Sequence, residues 1–365
     1  MTRLKLGVIG AGHLGKIHAK LLSTIDDVQL VAVSDPFAAA RQAIEDQFSV
    51  PTFADYRDLL GLVDGVILAA PTDLHAEIGS DVLRAKKHLF IEKPITTTSE
   101  DADRLVALAK QNGCTLQVGH VERFNPAWSA AESMLEHPKY IEAVRASSFP
   151  GRCLDVGVVM DLMIHDIDLV LSLTSAPVQR IDASGLSVIS DHEDVAEARI
   201  TFECGLVANL KASRISPAAA RTMQVYGPRG YANIDFSGPS ATLIQPEASI
   251  AERSFELSAA GPLADFREQL FSHWLASQSP EIQPRNAILD EQHDFVISIQ
   301  SGSQPTVSGA DGARAVAVAE QVLEAIDCRQ WLGDTSEPEQ VGAYATPPES
   351  VEAASQRIHQ QRKAA

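Results

Sequence analysis

Cysteine is scarce in this chain of 365 residues: Cys114, Cys153, Cys204 and Cys328 stand far apart, with no CxxC pair among them. That excludes a disulfide-stapled scaffold and leads to the expectation of a cytoplasmic chain with reduced thiols. Long apolar runs are also missing, so no stretch is a candidate membrane span and no membrane partner is expected. The N-terminus enters an apolar strand almost at once, without signal-peptide architecture. Positive charge is in short supply, with 30 Lys and Arg against 48 Asp and Glu, a formal net charge of −18. Such a surface repels nucleic acid, and an anionic substrate has to be met by local arginines. What remains, at 45% apolar residues, is a globular chain long enough for two domains with cores of their own.

The first third alternates strand and helix signals. Leu4 to Ile9 is a short apolar run, followed directly by Gly10-Ala11-Gly12-His13-Leu14-Gly15 and a helical pattern to about Ser23. A GxGxxG between strand and helix is the context in which backbone amides meet a dinucleotide pyrophosphate. The next strand, Val28 to Val33, ends on Ser34-Asp35-Pro36, where a carboxylate accepts from an adenosine ribose and repels a 2′-phosphate, favouring NAD. Val66 to Ala70 forms another strand, closed by Pro71-Thr72-Asp73, with Asp73 expected to cap a helix from His75 to Ala85. Leu89 to Ile91 then leads into Glu92-Lys93-Pro94. Proline forbids simple continuation there, so Lys93 is expected at a fixed corner of the sheet's C-terminal edge, with a cis Lys93–Pro94 peptide. A solvated Glu-Lys pair is the plainer alternative. A helix to Lys110 and a strand at Thr115 to Val118 complete a doubly wound, mostly parallel Rossmann sheet over residues 1–120.

After Gly119 the pattern changes. A helix through about Glu136 is followed by strands at Ile141 to Ser147, Val178 to Ser187, Glu197 to Phe202, Val207 to Ala212, Thr222 to Tyr226 and Tyr231 to Asp235. They predict a second, α+β domain over residues 121–332, with an open, largely antiparallel sheet covered by helices on one face. Phe236 to Gln283 reads equally as strand or helix. Helical patterns return at Asn286 to Ile299 and Ala310 to Ile326, and residues 333–365 form a polar extension. Within this domain, Gly157 to Leu173 reads as a buried helix on which Asp161, His165, Asp168 and Ser172 make one polar stripe. Buried carboxylates and an imidazole need partners or a ligand. The stripe fits a satisfied structural network, a metal site, or an imidazole whose pKa is raised and tautomer fixed by carboxylates for proton transfer.

Taken in order, the glycine loop, Asp35, Glu92-Lys93-Pro94 and Asp161-xxx-His165 resemble the Gfo/Idh/MocA oxidoreductases, which act on sugars and cyclitols. Val118 to Pro126, Met163 to Asp168 and Ala212-Ser213-Arg214-Ile215 are similar to the branch that oxidises C3 of UDP-N-acetylglucosamine and feeds an aminotransferase. The resemblance implies Lys93 and His165 as the catalytic pair, with Asp161 at the reacting hydroxyl. Cofactor contacts implied are Gly10, Gly12, His13, Leu14, Gly15, Asp35, Ala70, Pro71, Thr72, His75, Glu92 and Lys93. Substrate contacts are Arg123, Phe124, Asn125, Asp161 and His165, with Arg152 and Arg214 as diphosphate clamps, unless those arginines pair with carboxylates instead. Where many relatives carry a Gly-Gly-Gly run, this chain has Gly157-Val158-Val159. The resemblance also implies a homo-oligomer built on the open sheet. A free-sugar or cyclitol dehydrogenase, an NAD-dependent glycosidase and a non-catalytic dinucleotide sensor are the rival functions.

Overall fold

A computed structural model describes residues 3–149 and 156–327 of the protein. The first sheet begins with β1 (Leu4–Ile9), whose last four residues are buried, and α1 (His13–Leu22). It continues through β2 (Val28–Ser34), α2 (Ala38–Phe48), β3 (Thr52–Phe53), β4 (Gly65–Leu68), α3 (His75–Arg84), β5 (His88–Glu92), α4 (Ser99–Asn112) and β6 (Leu116–Gly119). The order β3-β2-β1-β4-β5-β6 is parallel throughout and reverses between β1 and β4. That switch point is where open α/β sheets hold ligands. Two elements are absent from the sequence expectations: α2, which buries only Ile44, and the two-residue β3, so neither leaves a periodic trace. Asp73 is not a cap. Thr72–Leu74 is a 3₁₀ turn, and α3 starts from Leu74 without a side-chain cap.

From the second region come α5 (Pro126–Ala131), β7 (Tyr140–Ala146), a π-helical turn at Val159–Met163, α6 (Ile164–Ser172), β8 (Val178–Leu186), β9 (Val195–Phe202), β10 (Val207–Ser213), β11 (Ala220–Gly227) and β12 (Gly230–Asp235). The stretch that sequence left undecided holds β13 (Ser240–Pro246), α7 (Ala248–Ala251), α8 (Leu263–Gln269), a second π turn (Leu270–Trp274) and β14 (Leu275–Gln278). Its two helices bury no residue, so no hydrophobic period marks them. The helices α9 (Ala287–Ser301) and α10 (Gly309–Asp327) close the described chain. The second sheet runs β14-β13-β12-β11-β7-β10-β9-β8, antiparallel except for the β7–β10 pair. Along β9, Ala196, Ala198, Ile200 and Phe202 are buried while Glu197 and Arg199 are exposed, the alternation of a sheet with one covered face. The helices α6 and α10 lie on that face, and α10 also packs against α4 and β6, so one helix joins both sheets. Among the described residues no helix is long and apolar enough to cross a membrane.

Candidate active site

The strand β5 is buried to its end and releases the chain at Lys93, where the peptide to Pro94 is cis. Two neighbours hold that corner. His75, 1% exposed, places its ring between the carbonyls of Pro94 and Ala70, both at 2.9 Å, and so brackets the ends of β4 and β5. Burial pushes its pKa down. Glu92 turns into the core, where Oε1 meets His18 Nε2 at 2.7 Å, while Oε2 accepts from the Lys93 amide at 3.2 Å. Burial opposes its charge, but the hydrogen bond and charge of His18 hold its carboxyl below the ordinary range. His75 and Glu92, expected at the cofactor, therefore spend their polar atoms shaping the rim beside it.

Facing this corner is the start of the polar helix, and its geometry departs from the regular helix expected over 157–173. Val159–Met163 is a π turn that runs into α6. Such turns recur at functional sites because they re-aim side chains without ending the helix. Glu193 secures its first turn: its Oε1 accepts from the Val159 amide at 3.0 Å and its carbonyl accepts from the Val158 amide. Val158 and Val159, which stand in place of glycines, are fully buried, so their side chains point to the core. Lys93 Nζ donates to the Asp161 carbonyl at 2.8 Å and to its carboxylate at 3.0 Å. Asp168 is taken by Arg123, through Nε at 2.8 Å and Nη2 at 3.2 Å. Behind them, buried Arg145 bridges Asp166 and Glu122, each at 2.8 Å.

His165 stands between these pairs without a carboxylate of its own, and this reverses the expected electrostatics. The stripe was to raise its pKa; instead burial, then Lys93, Arg145, His120 and Arg221, hold it well below the usual imidazole value. The carboxylates that would have raised it are committed to Lys93, Arg123 and Arg145. His165 is therefore neutral at physiological pH, the state in which an imidazole takes a proton.

The residues at the other end of the crevice fit a dinucleotide. Gly10 has φ +94°, and a Cβ on it would lie 2.6 Å from the Ala69 carbonyl oxygen. A Cβ on Gly15 would lie 1.8 Å from the Gly10 oxygen, so only glycine lets α1 start this close to β1. Gly12, His13 and Leu14 are exposed at the uncapped first turn of α1, and a Cβ on Gly12 would meet nothing within 4 Å. Asp35 accepts from the Ala11 and Phe37 amides, both at 2.8 Å, which fixes its carboxylate beside that turn. Ala70, Pro71 and Thr72 lie at the adjoining edge after β4.

Several substrate candidates are engaged with the protein itself. Arg214 is 1% exposed: Nε donates to Asp194 at 2.7 Å, Nη1 to the Val156 carbonyl at 2.8 Å and Nη2 to Ser190 at 2.6 Å. This corrects its expected place as a diphosphate clamp, because its fork is occupied by Asp194 and Ser190, in the loop between β8 and β9, and by the Val156 carbonyl. Asn125 caps α5 through the Ala127 amide and donates to Glu122 and to the Phe236 carbonyl, and Phe124 packs against the core. Arg152 lies outside the described residues. Sequence reasoning overlooked His120, Arg145, Arg221 and Glu193, which surround His165 and its turn; only His120 had a signal, as the first residue beyond the buried strand β6.

Comparison with known proteins agrees with this geometry. Residues 4–120 match the oxidoreductase family, NAD-binding Rossmann fold, of GFO/IDH/MocA proteins, and residues 138–233 match the GFO/IDH/MocA C-terminal domain. The chain is 32% identical over 328 residues to UDP-N-acetylglucosamine 3-dehydrogenase of Acidithiobacillus ferrooxidans, covering 90% of this chain and 98% of that protein. It is 26% identical to myo-inositol 2-dehydrogenase of Thermotoga maritima, covering 86% and 93%. A solved structure of the Acidithiobacillus enzyme superposes with TM-score 0.79 at 31% identity, over 89% of this chain and 98% of that one. With both of its domains matched and a relative 32% identical over 90% of its length, this chain belongs to the GFO/IDH/MocA family of NAD-binding oxidoreductases.

Proposed function

We propose that the protein oxidises the C3 hydroxyl of UDP-N-acetylglucosamine to the 3-keto sugar nucleotide, with NAD as acceptor. The observation that carries the reading is the convergence of Lys93, Asp161 and His165 at the C-terminal edge of β5. Bound NAD would supply a hydride acceptor, held by the Gly10 to Gly15 turn, Asp35 and the edge after β4. Lys93 polarises the alcohol oxygen and stabilises the charge that develops on it. His165, neutral, accepts the hydroxyl proton as the C3 hydride leaves, so the products are ketone, reduced cofactor and imidazolium. Asp161 orients Lys93 and accepts from the neighbouring sugar hydroxyl. The likeness to the Acidithiobacillus 3-dehydrogenase over 98% of its length supports this substrate.

The second reading is a dehydrogenase of a free sugar or cyclitol. It is favoured by the engagement of Arg214 with Asp194, which uses the described arginine nominated for a diphosphate, and of Arg123 with Asp168, which uses an arginine expected at the substrate. On either reading residues 1–120 bind cofactor, and residues 121–332 bind substrate and associate through the open sheet face. A 3-keto product would pass to an aminotransferase. A panel of sugar nucleotides, free sugars and cyclitols, scored by NADH and by product mass, tests the choice.

A further inference from the structure

Of the arginines around the polar helix and its sheet, Arg123 holds Asp168, Arg145 bridges Asp166 and Glu122, and Arg214 holds Asp194. Arg221, the second residue of β11, differs from all three. Among the described residues its side chain makes no hydrogen bond or ion pair, although its carbonyl is held by the Phe236 amide at 2.8 Å. In a chain with a net charge of −18, an uncompensated cation beside the site calls for a reason.

Register places its guanidinium. The strand β11 pairs antiparallel with β7, setting Val225 opposite Ile141, Met223 opposite Ala143 and Arg221 opposite Arg145. Residues directly opposite project to the same face, as do alternate residues of one strand. Ile141, Ala143, Arg145, Met223 and Val225 are all buried, so this is the face that the helices cover. Arg221 ends the row and is exposed, so the cover stops there and the side chain has open space in front of it. Arg145 across from it is bonded to Asp166, the residue after His165, and the charge of Arg221 is felt at both His165 and Asp166.

Like charges directly opposite on a sheet repel. Arg145 is compensated by two carboxylates, and the other carboxylates of the neighbourhood are committed as well. Asp161 is held by Lys93 and Asp168 by Arg123, while Asp235, on the adjoining strand β12, accepts from the Ser237 amide at 2.8 Å. What remains is a planar fork of donors, exposed and unpaired, whose geometry matches a pair of phosphate oxygens. In a nucleotide sugar the diphosphate is carried on C1, next but one to C3. With C3 held at Lys93 and His165, the first phosphate stays in the neighbourhood where the charge of Arg221 is felt.

We propose that Arg221 binds the diphosphate of the nucleotide-sugar substrate, the place expected of Arg214. The proposal rests on the reading of the substrate as a nucleotide sugar. It supplies that reading with the cation that the engagement of Arg214 removes.

The full chain, saturated with NAD so that the cofactor site is filled, is titrated with UDP and with UDP-N-acetylglucosamine. Both should bind about ten- to a hundredfold more weakly to Arg221→Gln than to the native chain, and Arg221→Lys, which keeps the charge without the fork, should regain part of the loss. NAD titrated alone should bind the native chain and Arg221→Gln equally. Tm should not change, because the side chain holds no partner in the protein, so the lost affinity is not lost folding. In turnover of UDP-N-acetylglucosamine, Arg221→Gln should raise KM by a similar factor and alter kcat far less. Equal UDP affinity in native chain and Arg221→Gln makes Arg221 a solvated surface side chain and overturns the proposal alone, as does a parallel loss of NAD affinity or of Tm. A native chain that binds neither UDP nor UDP-N-acetylglucosamine overturns the nucleotide-sugar reading and this proposal with it.

Discussion

Lys93 and Asp161 join the two halves of the molecule through one ammonium, which donates to both the carbonyl and the carboxylate of the same residue at 2.8 and 3.0 Å. The first partner sits at the C-terminal edge of the parallel sheet and the second in a π turn, so this contact helps to set the cofactor-binding sheet against the helix that carries His165. Lys93→Ala and His165→Ala should each lower kcat by about a hundredfold or more, with substrate and cofactor binding changed far less. Single-turnover rates together with equilibrium binding check this; equal losses in both would mean that the residues only bind.

Asp35 predicts cofactor choice. Its carboxylate is fixed by two backbone amides beside the glycine turn, where a 2′-phosphate would meet like charge. NAD should bind more tightly than NADP in titrations at one salt concentration, and Asp35→Ser should narrow the gap.

Stability should respond to pH in two opposed ways. Burial holds His75, His120 and His165 below the usual 6.5. The unfolded chain therefore binds more protons below about 6.5, and stability falls as pH drops from there. Glu291 behaves oppositely, because burial, with Glu92 and Asp294 nearby, raises it well above 4.5 and its Oε2 has no partner. Unfolding lets it ionise, so its contribution is lost as pH rises above about 4.5. Glu291→Gln should then raise Tm near pH 8, by the equivalent of about 1 kcal/mol or more, and change little near pH 4. A uniform shift at both values would contradict this.

Arg214→Ala should act on folding. Removing one partner of a fully buried ion pair leaves Asp194 uncompensated, at a cost of about 3–5 kcal/mol. Denaturant midpoints should fall accordingly, while any protein still folded keeps its substrate KM. A raised KM at native stability would restore Arg214 to the diphosphate.

Legibility in the sequence followed contact distance along the chain. The glycine turn, Asp35 and the Lys93 corner are local patterns of strand, turn and helix, and each stands where the spacing puts it. The stripe on α6 was legible as polar and buried, but not its pairing. Lys93, Arg123 and Arg145 reach it from β5, from the turn after β6 and from β7, and no periodicity announces which carboxylate each will take. Hence the direction of the His165 shift came out reversed. Arg214 failed for the same reason: its position beyond β10 was readable, whereas Asp194, in the loop between β8 and β9, was not readable as its partner.

NADH formation from UDP-N-acetylglucosamine, with an aminotransferase present to trap the ketone, measures the proposed oxidation of a nucleotide-linked sugar at C3 most directly. The expected result is stoichiometric NADH and a trapped 3-amino sugar nucleotide, both lost in His165→Ala. Turnover of free inositol or glucose, with none of any nucleotide sugar, would contradict it.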